Sequence, residues 1–512
     1  MLKKETNNIK NYIIRNYKTI VGLFLLVVAT YSIKIFNYNL SIDSEVTVND
    51  VTANSIPWIS TGRWALTLMG KFLHFGGRYN PFFSNIVMTI FFTLSVVILG
   101  YTISSIFENK KSENKILILL GTIILTSPII AEMLNFTMMT AEIAIGLSIV
   151  SSSIYFTYLA VYKESKIFYP IAIFVLAFAM GIYQAFLPLY MSLAAFIFLI
   201  DMVKNDLTLR KLLVNITKII AIFILAYITC TLITKFLLNY YGLAESKYLT
   251  NQINWGKLSF QKIQIIISEF MHMVTFPKIT SPIWNYGYAI SIFISILYAI
   301  TILKHHQKNS LLIIICLLFI LISPFLIVLG TGNAVAIRTM INLPFIVSLI
   351  VIFVTEEATK RKKFKYLVYI AFAFIVAIQF KSTLDLFYSD YIRYEEDKEL
   401  VQDIFTKIDM LDNLDKNREE TAVVFVGMRS AKSTGVIAKG DSMSFSFFEW
   451  DPATELASNK RIYGLSQTLG YKYKMPTVAE VKKGKKMQND MSVYPDKKSI
   501  TIKDGIVIVR VS

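Results

Sequence analysis

Asp43 and Glu45 stand two residues apart in Ile42-Asp43-Ser44-Glu45, just past the first long apolar run. On an extended segment, residues two apart point the same way. Such a segment would aim both carboxylates into one cavity. A carboxylate placed there can remove the proton of an attacking hydroxyl as a general base. A solvated acidic start to a membrane-surface loop is the plainer reading of the same residues.

Downstream lies Trp58-Ile59-Ser60-Thr61-Gly62-Arg63-Trp64. From Thr61 to Phe75 the residues Trp64, Leu68 and Phe72, with Ala65, Met69 and Leu73, recur at helical spacing. Arg63, Lys71 and His74 lie off that stripe, so the segment predicts an amphipathic helix in a membrane interface. Arg63 at its start offers a planar fork of donors that suits a phosphate. The competing role is an arginine snorkelling beside an interfacial tryptophan.

Arg338 is isolated in Thr331-Gly-Asn-Ala-Val-Ala-Ile-Arg-Thr-Met340. A lone arginine at the end of a span calls for a partner, either an anionic ligand or a carboxylate. The phosphate of a lipid carrier is one expectation. A salt bridge to Asp43, Glu45, Glu132 or Glu142 is the other.

Glu132, Asn135 and Glu142 flank another loop, and Tyr183 and Gln184 occupy a tight turn. With Trp58 and Trp64 they are candidate substrate contacts, because amides and aromatic rings suit sugar hydroxyls and faces. Hydrogen bonding between helices is their alternative role. A long later loop carries Tyr240, Tyr241, Lys247, Trp255 and a second amphipathic stretch, Leu258–Val274. Its aromatics also fit an interface belt.

Around these residues the chain is mostly apolar. Of its 512 residues 54% are hydrophobic, which fits a polytopic α-helical membrane protein. Eleven runs read as spans: 18–36, 82–106, 116–131, 141–161, 167–181, 184–203, 211–238, 284–303, 310–329, 340–355 and 364–380. No small-residue cleavage site follows the first, so it reads as a retained span.

The net charge of +17 comes from short basic blocks between the apolar runs. The positive-inside rule accounts for them without nucleic acid. Placing Lys3, Lys4, Lys10, Arg15, Lys110, Lys111, Lys163, Lys204, Lys304 and Lys362 inside puts the N-terminus in the cytoplasm. Eleven spans then put the C-terminus outside the cytoplasmic membrane. Neither the two cysteines nor the four histidines form a metal-binding spacing. No phosphate-cradling glycine loop and no dinucleotide fingerprint occurs.

Residues 1–380 read as the membrane domain and 381–512 as a small extracytoplasmic α/β domain. In the latter, 385–414 is expected to be helical, 421–427 a buried strand, and 499–511 a hairpin around Asp504-Gly505.

Together these residues resemble the GtrII family of membrane glucosyltransferases, of the GT-C class. The resemblance rests on Ile42-Asp43-Ser44-Glu45, Gly62-Arg63-Trp64, Asn80-Pro81-Phe82-Phe83-Ser84, Tyr183-Gln184-Ala185, Arg338 with Pro344, and the ending from Met491 to Val511. It runs through nearly the whole chain. Many relatives carry adjacent acids in the first outer loop, whereas here Ser44 intervenes.

The resemblance implies a GT-C-like fold and transfer of a hexose, glucose or N-acetylglucosamine, from a polyprenyl-phosphate carrier to a surface polysaccharide. Asp43 or Glu45 would be the base, with Arg338 and Arg63 on the donor phosphate. No cofactor is required, and a divalent metal is compatible with the scheme. The implied partners are the lipid-linked sugar, the polysaccharide acceptor, membrane lipid, a carrier-charging glycosyltransferase and a flippase. The competing functions are a flippase or transporter of lipid-linked sugars, a non-catalytic scaffold, and a protein O-glycosyltransferase.

Overall fold

The computed structural model describes residues 2–74, 77–205, 207–246, 260–274, 286–304, 309–357, 362–411, 418–432, 438–449 and 456–512. Among them eight helices are long and apolar enough to cross a membrane: Lys3–Thr30, Pro81–Phe107, Thr137–Val161, Phe186–Lys204, Leu209–Tyr240, Tyr286–Lys304, Ser310–Thr331 and Tyr369–Asp409. A ninth results if Lys110–Leu125 and Pro128–Leu134, bent by 58° at their junction, form one broken span. By this measure the expected eleven is not reached. The expected spans 167–181 and 340–355 fall on Phe168–Ile182 and Leu343–Glu357, each of 15 residues. At 1.5 Å per residue such a helix covers roughly 22 Å, less than a hydrocarbon layer of about 30 Å.

Two expected spans differ for local reasons. Pro128 lacks an N–H and disfavours helical backbone at the residue before it. Ser127 is accordingly extended, with φ −67° and ψ 123°, and the run 116–131 breaks there. The first helix runs over Leu2–Thr30, and Tyr31 separates it from a short helix, Ser32–Phe36, so 18–36 is not one element. The helix at Pro81 starts as its residues dictate. Asn80 accepts the Phe83 N–H and Pro81 takes the first turn, where a missing N–H costs nothing.

The threonines inside this helix are satisfied by its own backbone. The hydroxyls of Thr89, Thr93 and Thr102 each donate to the carbonyl four residues earlier. Such bonds let a polar residue sit in an apolar bundle without water.

Lys362–Asp409 is a single helix of 48 residues, roughly 70 Å long. It passes unbroken through residues 380 and 381, and its second half is the helix expected after 385. Beyond it lie β1 (Ala422–Val426), β2 (Ile500–Lys503) and β3 (Ile506–Arg510), in the order β1-β3-β2. β1 pairs parallel with β3, Ala422 opposite Ile506. β2 pairs antiparallel with β3, Ile500 opposite Val509. The expected hairpin turn is present: Asp504 (φ 50°) and Gly505 (φ 76°) are both left-handed, as a two-residue type I′ turn requires.

The sheet has two apolar faces, because side chains alternate along a strand. Val424, Val426 and Ile508 pack with Val481 of the helix Val478–Met487. Val423, Phe425, Val507 and Val509 pack with Val401, Ile404 and Phe405 of the long helix. Leu40 and Ile42, from the loop that carries Asp43, are buried in this second cluster. Burying each contributes about 1.5–3 kcal/mol. The first long loop and the C-terminal tail therefore share one core, which fixes their relative placement.

Candidate active site

Asp43 is left-handed (φ 72°) and immediately precedes a short helix, Ser44–Asn49. The expected extended backbone is thus replaced by a helical turn. Both carboxylates nevertheless converge, because one guanidinium gathers them. Arg461 Nη2 pairs with Asp43 Oδ1, and Arg461 Nη1 donates to Glu45 Oε1 at 2.9 Å. The Glu45 side chain is fully buried, whereas Asp43 is 35% exposed. Burial raises the Glu45 pKa, and Arg461 opposes that rise. Of the two carboxylates, Asp43 is the one open to solvent.

Ser41 and Ser44 hold this loop against the turn at 137–139. Thr137 N–H donates to Ser41 Oγ at 3.0 Å, and Met138 N–H to Ser44 Oγ at 3.2 Å.

Arg338, on the turn Ile337–Thr339, pairs with Asp441 at 2.6 Å and lies over the Phe136 ring at 5.1 Å. Its carboxylate partner is therefore none of the four acids expected from the sequence. Asp441 comes from the tail, whose placement no local pattern announces. The adjoining tail backbone wraps Glu132. Asp441 and Ser442 N–H groups donate to its two oxygens at 2.8 and 3.0 Å, and Ser442 Oγ donates at 2.9 Å. At Gly440 an added Cβ would land inside the Glu132 carboxylate. Gly440→Ala is therefore expected to loosen this wrap and cost about 1–3 kcal/mol, measured as a lower thermal midpoint and faster cleavage of the tail by protease.

Asn135 Nδ2 donates to Asp390 at 3.2 Å, and its carbonyl accepts from the buried Lys34 ammonium at 3.3 Å. Asp390 also accepts from Asn39, Arg393 and the Ser444 N–H. Arg393 is fully buried and faces Asp390 on one side and Asp397 on the other. This polar layer lies next to the Asp43 loop, since Arg393 also donates to the Leu40 carbonyl at 3.1 Å.

A second group forms around Arg63. Its Nε donates to Gln184 Oε1 at 3.2 Å, and its guanidinium lies over the Tyr183 ring at 5.2 Å. Gln184 Nε2 in turn donates to the Thr61 carbonyl at 2.7 Å. Among the described residues Arg63 meets no carboxylate. Its helix, Trp64–Leu73, buries Ala65, Leu66 and Met69 and exposes Leu68 and Phe72 beside Lys71. Leu68 and Phe72 thus leave the buried stripe, as an interfacial helix with a lipid-facing side allows. Trp64 lies edge-on to Phe178.

Glu142 is fully buried against His74 Nε2 at 3.2 Å, with Trp58 and Gly70 beside them. It meets neither arginine. Tyr240 and Tyr241 are exposed, and Lys247 and Trp255 lie outside the described residues, as do His305, His306 and Leu258. No contact joins Arg338 to Asp43 or Glu45 among the described residues.

Sequence reasoning missed Arg461 and Asp441 entirely. It also missed Asp390, Arg393 and Asp397, whose spacing of three and four along one helix face was a readable signal.

Helices long and apolar enough to cross a membrane, with a carboxylate pair and two arginines held in separate polar groups on the connecting loops, fit a polytopic membrane protein. The GtrII glucosyl transferase family model matches residues 32–378, well over half of the chain. The chain belongs to that family, and with it to the glycosyltransferases. Comparison with curated proteins and with solved structures finds no match.

Proposed function

We propose that this glycosyltransferase moves a hexose from a polyprenyl-phosphate carrier to a surface polysaccharide on the outer face of the cytoplasmic membrane. The observation that carries the reading is Asp43: a reachable carboxylate beside a buried one, with an arginine across both. The acceptor hydroxyl attacks the anomeric carbon while the carbon–oxygen bond to the lipid phosphate breaks. The hydroxyl proton passes to Asp43, the phosphate leaves with the bonding pair, and configuration inverts.

Charge gathers on the departing phosphate. Arg63, which meets no carboxylate among the described residues, is suited to receive it. Arg338 joins it by exchanging or sharing Asp441. Tyr183 and Gln184 position Arg63, and Trp58 and Trp64 shape the interfacial helix around it. Glu132, Asn135 and Glu142 act from beneath, by holding the loops. With the N-terminus in the cytoplasm the loop after the first span lies outside, and the tail, which shares a core with Leu40 and Ile42 of that loop, lies on the same side; a charging enzyme and a flippase supply the donor there.

The donor half of the proposal is tested by Arg338→Ala and Arg63→Ala in a transfer assay. Each is expected to lower kcat/KM for the lipid-linked donor by on the order of 100-fold. Unchanged kcat/KM in both would remove the arginines from the donor site.

A further inference from the structure

Arg461 lies outside residues 32–378, the part of the chain matched by the family model. It stands on the helix Ala457–Thr468 and reaches both carboxylates of the first loop. Its side chain is only 15% exposed.

The helix that carries it is held on both sides. Asn459 accepts the Phe425 N–H at 2.7 Å and donates back to the Phe425 carbonyl at 3.0 Å, which ties the helix to β1. Ile462 and Leu465 are buried in the core shared with Leu40 and Ile42. On the loop side Asn49 donates to the Gly464 carbonyl at 2.9 Å. Gly464 itself lies against the Glu45 side chain so closely that any Cβ there would collide with it. Arg461 is therefore placed by backbone and core contacts, unlike a surface arginine that meets an acid by chance.

Two carboxylates this close repel, and one of them is fully buried. Without a cation the pair would hold a proton at a pH where an ionised base is needed. A guanidinium stays charged and presents two parallel donors, so it can neutralise and orient both acids at once. The charged groups facing Glu45 are Asp43 and Arg461. The 137–139 turn packed on the same short helix contributes Thr137, Met138 and Met139, none of them ionisable. Asp50, at the end of that helix, is engaged by Thr52.

We propose that Arg461 is a positioning residue of the transfer centre, holding Asp43 and Glu45 in one orientation and supplying the positive charge that offsets them, so that Asp43 can accept the hydroxyl proton. This rests on the reading of Asp43 as the base. It makes the C-terminal tail part of the catalytic machinery, although the tail lies outside the matched residues 32–378. Both terminal nitrogens of Arg461 are turned to carboxylates, which leaves the donor phosphate to Arg63 and Arg338.

The test uses the full chain in membranes, with lipid-linked hexose and polysaccharide supplied. Initial transfer rate is measured against pH for the wild type, Arg461→Ala and Arg461→Lys, with expression and thermal stability matched or recorded. The expected result is a fall in kcat for Arg461→Ala with little change in donor KM. The acid limb of its pH profile moves up by about 1–3 units. Arg461→Lys restores part of the rate and returns the limb toward the wild-type position, because it keeps the charge and loses the fork.

Active wild type and an Arg461→Ala limb that does not move would overturn the proposal, whatever the rate. That result would leave a purely structural arginine and would not touch the base assignment. If Arg461→Ala fails to fold, Arg461→Gln decides, because it keeps donor groups and loses the charge: a limb moved up supports the charge role, and a wild-type limb overturns it. No transfer by the wild type would instead defeat the underlying reading of Asp43.

Discussion

Asp43→Asn, at matched expression, is expected to reduce hexose transfer on the order of 100-fold or more while leaving the folded protein intact. The substitution keeps the side-chain volume and an oxygen for the Arg461 contact. It removes only the group that takes the proton. Glu45→Gln is expected to be the milder change in rate, since Glu45 is fully buried and reaches no solvent. Its cost should appear in stability, because the carboxylate lies within the core contact between loop and tail. Measuring initial rates and thermal midpoints for both variants separates the roles. Full activity in Asp43→Asn would move the base elsewhere.

The second large effect concerns stability. Arg393→Met is expected to destabilise the protein by about 3–5 kcal/mol, because it leaves Asp390 and Asp397 buried without their cation. The consequences reach the site. Arg393 also holds the Leu40 carbonyl, three residues before Asp43, and stacks near Phe447 of the tail. Asp390 joins Asn39, Asn135 and the Ser444 N–H. Adding Asp397→Asn to Arg393→Met removes one uncompensated charge and should recover part of the loss. Thermal unfolding in detergent, read for the single and double variants, checks this. A single variant as stable as the wild type would contradict the account of the layer.

Much of the scaffold was legible because its signals are local. Apolar run length marks the long helices, and Asp504-Gly505 marks the hairpin turn. The misread elements had competing local signals. Pro128 breaks a run whose hydropathy alone reads as continuous. Asp43-Ser44-Glu45 forms a helical turn too short to declare a period.

The site was legible only in halves. Acids and arginines stood out wherever an apolar chain made them rare, as at Asp43, Arg63 and Arg338. Their partners did not. Arg461 lies in a tail where charge is common, and it meets Glu45 across 416 positions of sequence. Asp441 meets Arg338 across 103. Nothing in a local pattern encodes a contact made by docking one core onto another. Glu132 and Asn135 were visible as polar residues in apolar surroundings, yet only the packed tail shows what they hold.

The central claim is that this centre performs transfer, and the most direct measurement is made in proteoliposomes containing the purified protein. They are given polyprenyl-phosphate hexose labelled in the sugar, with polysaccharide on one side. The account predicts that label moves from lipid to polysaccharide, with inverted anomeric configuration, and that free polyprenyl phosphate accumulates in equal amount. Label that crosses to the opposite leaflet while remaining on its lipid, with no polysaccharide product, would contradict it and identify a transporter of lipid-linked sugar.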